Sequence, residues 1–185
     1  MSRPAGEFHC PAIGIGGGRP EGSWFPLMSS IRYSHTNLIA NDWQRLRDFY
    51  VQVFECRPVS AERDHRGPKF EDLTGFVGGS ARGRHLLLPG HGDQGPTLEI
   101  FQYSTNDPTL PTSLTRPGFA HVAFEVPDVE QKRTEILAWG GRDVGKLVTL
   151  DIPGAGRLTL IYMTDPEGNV VELQKWNREE AGSEG

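Results

Sequence analysis

Residues 119–126 read F-A-H-V-A-F-E-V, an apolar run broken by one imidazole, His121, and followed by Pro127-Asp128 and a helical pattern. Strands holding a single histidine are common, so the run decides nothing alone. Its weight comes from an echo at Tyr33 to Asp42, Y-S-H-T-N-L-I-A-N-D, which sets His35 against His121 and Asp42 against Asp128, both 86 positions apart. The chain therefore reads as two copies of one unit, each opening on a strand that carries a histidine.

Outward from that pair, period-2 alternation over Ile31 to Ile39 puts Tyr33, His35 and Asn37 on one face of a strand. Asn41 or Asp42 then caps a helix with apolar positions Trp43, Leu46, Phe49, Tyr50, Val53 and Phe54, a spacing that lays one helix face on a sheet. Arg57-Pro58 ends it. Strands are expected at Val59 to Glu62, around Phe70 and Phe76, at Arg84 to Leu88 and at Thr97 to Tyr103. The second copy repeats the order: a strand at Phe119 to Val126, a helix from Asp128 to about Trp139 closed by Gly140-Gly141, and strands at Lys146 to Ile152, Arg157 to Met163 and Val170 to Trp176. Late in each unit the spacing falls to 73, with Gly83-Arg84 on Gly156-Arg157 and Glu99 on Glu172. The 13 extra residues of the first copy are assigned to the loop-rich Arg63 to Gly83 stretch.

The implied fold is α+β: two βαβββ modules forming a cupped mixed β-sheet around a cleft. Residues 1–28, with I-G-I-G-G-G-R-P at 13–20, read as an irregular arm that Trp24 and Phe25 pin to the body. The modules span 29–103 and 119–177, joined by a linker, 104–118, carrying Pro108, Pro111 and Pro117, and 178–185 are a tail.

Composition narrows the function. Among 185 residues, 19 Lys and Arg against 24 Asp and Glu give a net charge of −5 with no basic run, which argues against nucleic acid or an anionic membrane as partner. Cys10 and Cys56 lack C-x-x-C spacing, so neither a disulfide framework nor a thiolate zinc site is expected. No apolar stretch approaches the ~20 residues of a membrane span, and the N-terminus lacks the apolar core of a secretory signal. A soluble cytoplasmic protein is the simplest reading.

Each copy has one histidine on its first strand and one glutamate, Glu99 or Glu172, between apolar neighbours on its last. A carboxylate so placed is costly unless paired or metal-bound. One at a time, such a histidine is more often a hydrogen-bonded core residue and such a glutamate more often faces solvent. At repeat-related positions, two imidazoles and two carboxylates suit a divalent first-row metal: zinc, nickel, cobalt, manganese or iron. Tyr33, Asn37, Phe101 and Gln174 share the faces of these four residues and are expected to line the substrate pocket. His9, His65, His85 and His91 lack repeat-related partners and read as surface residues.

The motifs S-H-T-N-L at His35, T-L-E-I-F at Glu99, G-F-A-H-V-A-F-E-V at His121 and T-D-P-E-G-N-V-V-E-L at Glu172 resemble those of the vicinal oxygen chelate superfamily. That group includes glyoxalase I, methylmalonyl-CoA epimerase, extradiol dioxygenases and the fosfomycin and bleomycin resistance proteins. The resemblance implies a metal site of His35, Glu99, His121 and Glu172 and a small-molecule substrate with vicinal oxygens. With all four ligand positions filled it points to the lyase and isomerase branch, in which Glu172, or Glu99 by pseudo-symmetry, removes a proton next to a carbonyl. The alternatives are an extradiol-type iron dioxygenase in which Glu99 is not a ligand, and a non-catalytic small-molecule binder. A homodimer is a family expectation, and the linker is long enough for modules to pair within one chain or between two.

Overall fold

In a computed structural model, residues 31–177 are described, so the expected N-terminal arm with Trp24 and Phe25, His9, Cys10 and the C-terminal tail lie outside the described residues. From Tyr33 onward the described chain forms one unit by its contacts.

Strand β1 (His35–Ile39) leads into helix α1 (Trp43–Phe54). Asp42 is the N-cap, its carboxylate accepting from the Arg45 N–H at 3.0 Å. The six apolar positions that predict the helix are all buried, each burial contributing roughly 1.5–3 kcal/mol. The helix stops on Glu55 in the left-handed conformation, φ 57° and ψ 22°, where a side chain is strained. Glu55→Gly is therefore expected to raise stability by up to ~1 kcal/mol, read as a higher midpoint in urea unfolding; a lower midpoint would show that the Glu55 side chain holds something the backbone does not reveal.

The first module continues with β2 (Arg57–Pro58), β3 (Arg63–Arg66), α2 (Pro68–Thr74), β4 (Ser80–Leu87) and β5 (Thr97–Tyr103). Two sequence expectations change here. Val59 to Glu62 is not a strand; pairing with β4 falls on either side of it. Phe70 and Phe76 are not in strands either: Gly67 at φ 83° starts a short helix, Pro68 takes its first turn, and Gly75 at φ 69° ends it. The second module comprises β6 (His121–Glu125), α3 (Val129–Ala138), β7 (Arg142–Asp143), β8 (Val148–Ile152), β9 (Gly156–Thr164) and β10 (Val170–Asn177). Asp128 caps α3, accepting from the Gln131 N–H at 2.9 Å.

The strands form two five-stranded sheets, ordered β1-β5-β4-β2 with β3 beside β4, and β6-β10-β9-β7 with β8 beside β9. In each, the histidine strand runs parallel to the glutamate strand and the other pairs are antiparallel. Register corrects the repeat alignment. Glu99 faces His85 and Glu172 faces Tyr162, so β4 and β9 are related by 77 positions (85 to 162) and Gly83 matches Leu160, not Gly156. The hairpin loop 88–96 of the first module is four residues longer than its counterpart, 165–169.

The modules share one core. α1 and α3 pack in the same buried cluster with Leu98, Ile100, Val171 and Leu173 from the glutamate strands. Phe124 of β6 stacks on Phe54 of α1, ring centres 4.1 Å apart. Cys56 is buried and unpaired, and burial pushes its thiol pKa up to about 12. No helix among the described residues is long and apolar enough to cross a membrane.

Candidate metal centre

Parallel pairing of β1 with β5 sets His35 opposite Thr97 and Asn37 opposite Glu99. This brings His35 Nε2 to 3.4 Å from Glu99 Oε2, with the carboxylate side chain only 15% exposed. Asn37 Nδ2 donates to the same oxygen at 3.2 Å. In the second module His121 Nε2 lies 3.3 Å from Glu172 Oε2, and that glutamate is 11% exposed. Each histidine thus lies beside the glutamate of its own module, whereas the sequence expectation was all four residues together in one cleft. The four residues do not gather in one cluster: among the described residues no three His, Cys, Asp or Glu side chains converge as a metal site.

Two residues at these pairs escaped the sequence reading. His85, expected at the surface, is 12% exposed in its side chain, and its Nε2 is 2.6 Å from Glu99 Oε1. The contact is close but lacks hydrogen-bond alignment. Burial pushes the His85 pKa down, against the pull of Glu99. Tyr162, in the equivalent position, hydrogen-bonds Glu172, which together with burial raises its phenol pKa; its ring centre is 5.1 Å from that of His121. The signal available for both was strand pairing, since each directly opposes its glutamate. His65 is also not a surface residue; it is half-buried and lies against Phe70 and Phe101. His91 is exposed as expected.

A cleft of about 990 Å³ includes His35 and His121 in its lining, together with Tyr33, Asn37, Leu110 and Asn169. Of the expected pocket residues, Tyr33 and Asn37 line this cleft; Phe101 is 6% exposed beneath neighbouring rings, and Gln174 is half-buried opposite Glu125.

The T-D-P-E-G-N segment has a structural task. Asp165, 1% exposed, accepts from Tyr50 Oη of α1 at 3.1 Å, from the N–H groups of Glu167 and Asn169 at 2.9 and 3.0 Å, and from Asn169 Nδ2 at 2.8 Å. Glu167 accepts from the backbone N–H groups of Asn41 and Asp42 at 3.1 and 2.9 Å, and from Asn41 Nδ2 at 2.9 Å. A turn of the second module therefore holds the start and middle of α1 in the first.

Residues 32–173 match the Glyoxalase/Bleomycin resistance protein/Dioxygenase superfamily. The chain belongs to that superfamily. A probable lactoylglutathione lyase of Vibrio parahaemolyticus serotype O3:K6 (strain RIMD 2210633) is 26% identical over 164 residues, covering 85% of this chain and 100% of that protein. Among solved structures, a glyoxalase family protein from Bacillus cereus superposes with a TM-score of 0.68 at 15% identity, over 82% of this chain and 97% of its own. A glyoxalase I mutant from Zea mays gives 0.52 at 19% identity, over 77% of this chain and 45% of its own. At such identities the two structures show the superfamily fold alone.

Proposed function

We propose that this protein is a divalent-metal-dependent lyase or isomerase of the glyoxalase type, acting on a small substrate with vicinal oxygens. The observation that carries the reading is the pair of matched His–Glu contacts, His35 with Glu99 and His121 with Glu172. The donor set fits the metal that the family implies. It offers two imidazoles and two shielded carboxylates, with a further imidazole, His85, 2.6 Å from Glu99 Oε1. His35, Glu99, His121 and Glu172 would hold the ion, which when bound supplies Lewis-acid polarisation of the substrate oxygens.

The two modules differ in a way that selects the base. Glu99 is hemmed by Asn37, His35 and His85. At Glu172 the place of Asn37 is taken by Ala123, so this carboxylate lacks the amide donor that Glu99 has. Glu172 is accordingly the group that takes the proton from the carbon next to the carbonyl and returns it to the product, while the Tyr162 hydroxyl orients its carboxylate. Glu172→Gln should abolish exchange of the substrate's α-proton with deuterated solvent while sparing the fold. Undiminished exchange in that variant would remove Glu172 from this role.

A second copy of the chain completes the site. Within one chain the two pairs lie on separate sheets, and the relation between the modules is held by the shared core, the Phe54–Phe124 stack and the Tyr50–Asp165 hydrogen bond. His35 and His121 share one cleft, but no three His, Cys, Asp or Glu side chains among the described residues converge in it as a metal site. A homodimer in which each chain lends one pair to its partner's opposite pair leaves the core intact.

A further inference from the structure

The first module carries a run of rings that the proposed chemistry does not use. It starts at the metal pair and ends in a hollow. His85 meets Phe101 edge-on at 6.1 Å, Phe101 lies 5.4 Å from His65, His65 stacks on Phe70 at 7°, and Phe70 and Phe76 both flank Tyr103, at 5.9 and 6.3 Å. Two glycines clear the ground for it. A Cβ on Gly83 would come within 2.6 Å of the Phe101 ring, and one on Gly79 within 2.1 Å of the Phe76 ring. Phe70 and Phe76 both come from the segment between β3 and β4 that forms α2; the second module has no helix in the corresponding place.

Alternation puts Ile39 on the face of β1 that carries His35 and Asn37, and Tyr103 on the face of β5 that carries Glu99 and Phe101. Four residues along parallel strands is a displacement of ~13 Å. At that distance Ile39, Phe76 and Tyr103 join Thr105, Asn106 and Asp107 around a hollow of about 340 Å³. Ile39 is 47% exposed. Asn106 Nδ2 donates to the Ala40 carbonyl at 2.9 Å and its Oδ1 is buried, so the acceptor facing the hollow is the exposed Asp107 carboxylate. The Asp107 carboxylate makes the rim unfavourable for an anion.

We infer that this hollow is a distal substrate subsite, taking a flat, ring-sized apolar group that carries an O–H or N–H donor. The ring lies against Phe76, Tyr103 and Ile39, and the donor reaches the Asp107 carboxylate. Resting on the metal-site reading above, it makes the substrate an elongated molecule, with chelating oxygens at one end and a hydroxylated or aminated ring ~13 Å away.

The test uses 4-methylphenol and 1,4-dimethylbenzene, which have the same shape and differ in one hydroxyl, titrated into the full chain with and without metal and followed by protein NMR. In both preparations 4-methylphenol should produce saturable shifts at Phe76, Tyr103 and Asn106 and bind about tenfold tighter than 1,4-dimethylbenzene. 4-Methylbenzoate should bind more weakly than either. Phe76→Ala, in a surface turn, should weaken 4-methylphenol about tenfold, and Asp107→Ala should erase the difference between the two probes. Equal affinity for both probes, shifts confined to the His35–His121 cleft, or no saturable shift overturns the subsite. Because these probes need no metal, the outcome is independent of the Glu172→Gln exchange experiment, and either reading can fail alone.

Discussion

Asp165→Ala is expected to destabilise the protein by about 3–5 kcal/mol, a fall of roughly 8–16 °C in Tm for a domain of this size. The carboxylate is 1% exposed and receives four hydrogen bonds. Alanine would leave the Tyr50 hydroxyl, two turn N–H groups and the Asn169 amide facing a dry space, each losing its partner at about 1–3 kcal/mol before relaxation. Tyr50→Phe removes one donor and leaves Asp165 with the other three, so it should cost only about 1 kcal/mol. The contrast is the informative part. Equal losses in urea unfolding would mean that Asp165 matters only through Tyr50, and that the turn does not need its carboxylate. The expected order is Asp165→Ala, then Glu167→Ala, then Tyr50→Phe. Glu167 lies between them because its carboxylate engages three N–H groups near the start of α1 but is less buried.

This clamp also shows what the sequence could and could not convey. The repeat of His35 in His121 and Glu99 in Glu172 was readable because ligand-type residues in apolar strands conflict with burial, and a conflict that occurs twice is informative. Helix α1 was readable because six apolar positions follow one face and Asp42 caps it. What failed depended on pairing. The seven-residue helix α2 buries no residue, so it has no periodicity to detect, and its bracketing glycines and proline read as loop. His85 was passed over because local similarity matched Gly83-Arg84 with Gly156-Arg157. The longer loop at 88–96 shifts β4 by four positions relative to that match, and only the hydrogen-bond register places His85 against Glu99 and Tyr162 against Glu172. The T-D-P-E-G-N run marked the family without revealing that its two carboxylates reach into the other module, because contacts 115 and 126 residues apart leave no local trace.

Chains deprived of one half-site each are expected to restore one another. His35→Ala with Glu99→Ala empties the first module's pair, and His121→Ala with Glu172→Ala empties the second's; either double variant alone should hold no stoichiometric metal. Removing a partly exposed imidazole and its carboxylate together leaves no unpaired buried charge, so both variants should stay folded. When the two are co-expressed, half of the dimers are mixed. A site built from one pair of each chain is intact once in every mixed dimer, so total metal and total proton exchange should recover to about a quarter of the unmodified protein. A site closed within a single chain predicts none, because every chain in the mixture lacks one pair. The measurement is metal content per chain after chelator-free purification of dimers carrying two different tags, where the figure should rise to about half. Zero metal in those doubly tagged dimers would place both pairs in one chain, around the cleft that His35 and His121 share. Recovery to about half would instead assign to the Phe54–Phe124 core, and to the Asp165 and Glu167 turn that locks it, the task of holding each chain's modules so that the site is completed only by a second copy.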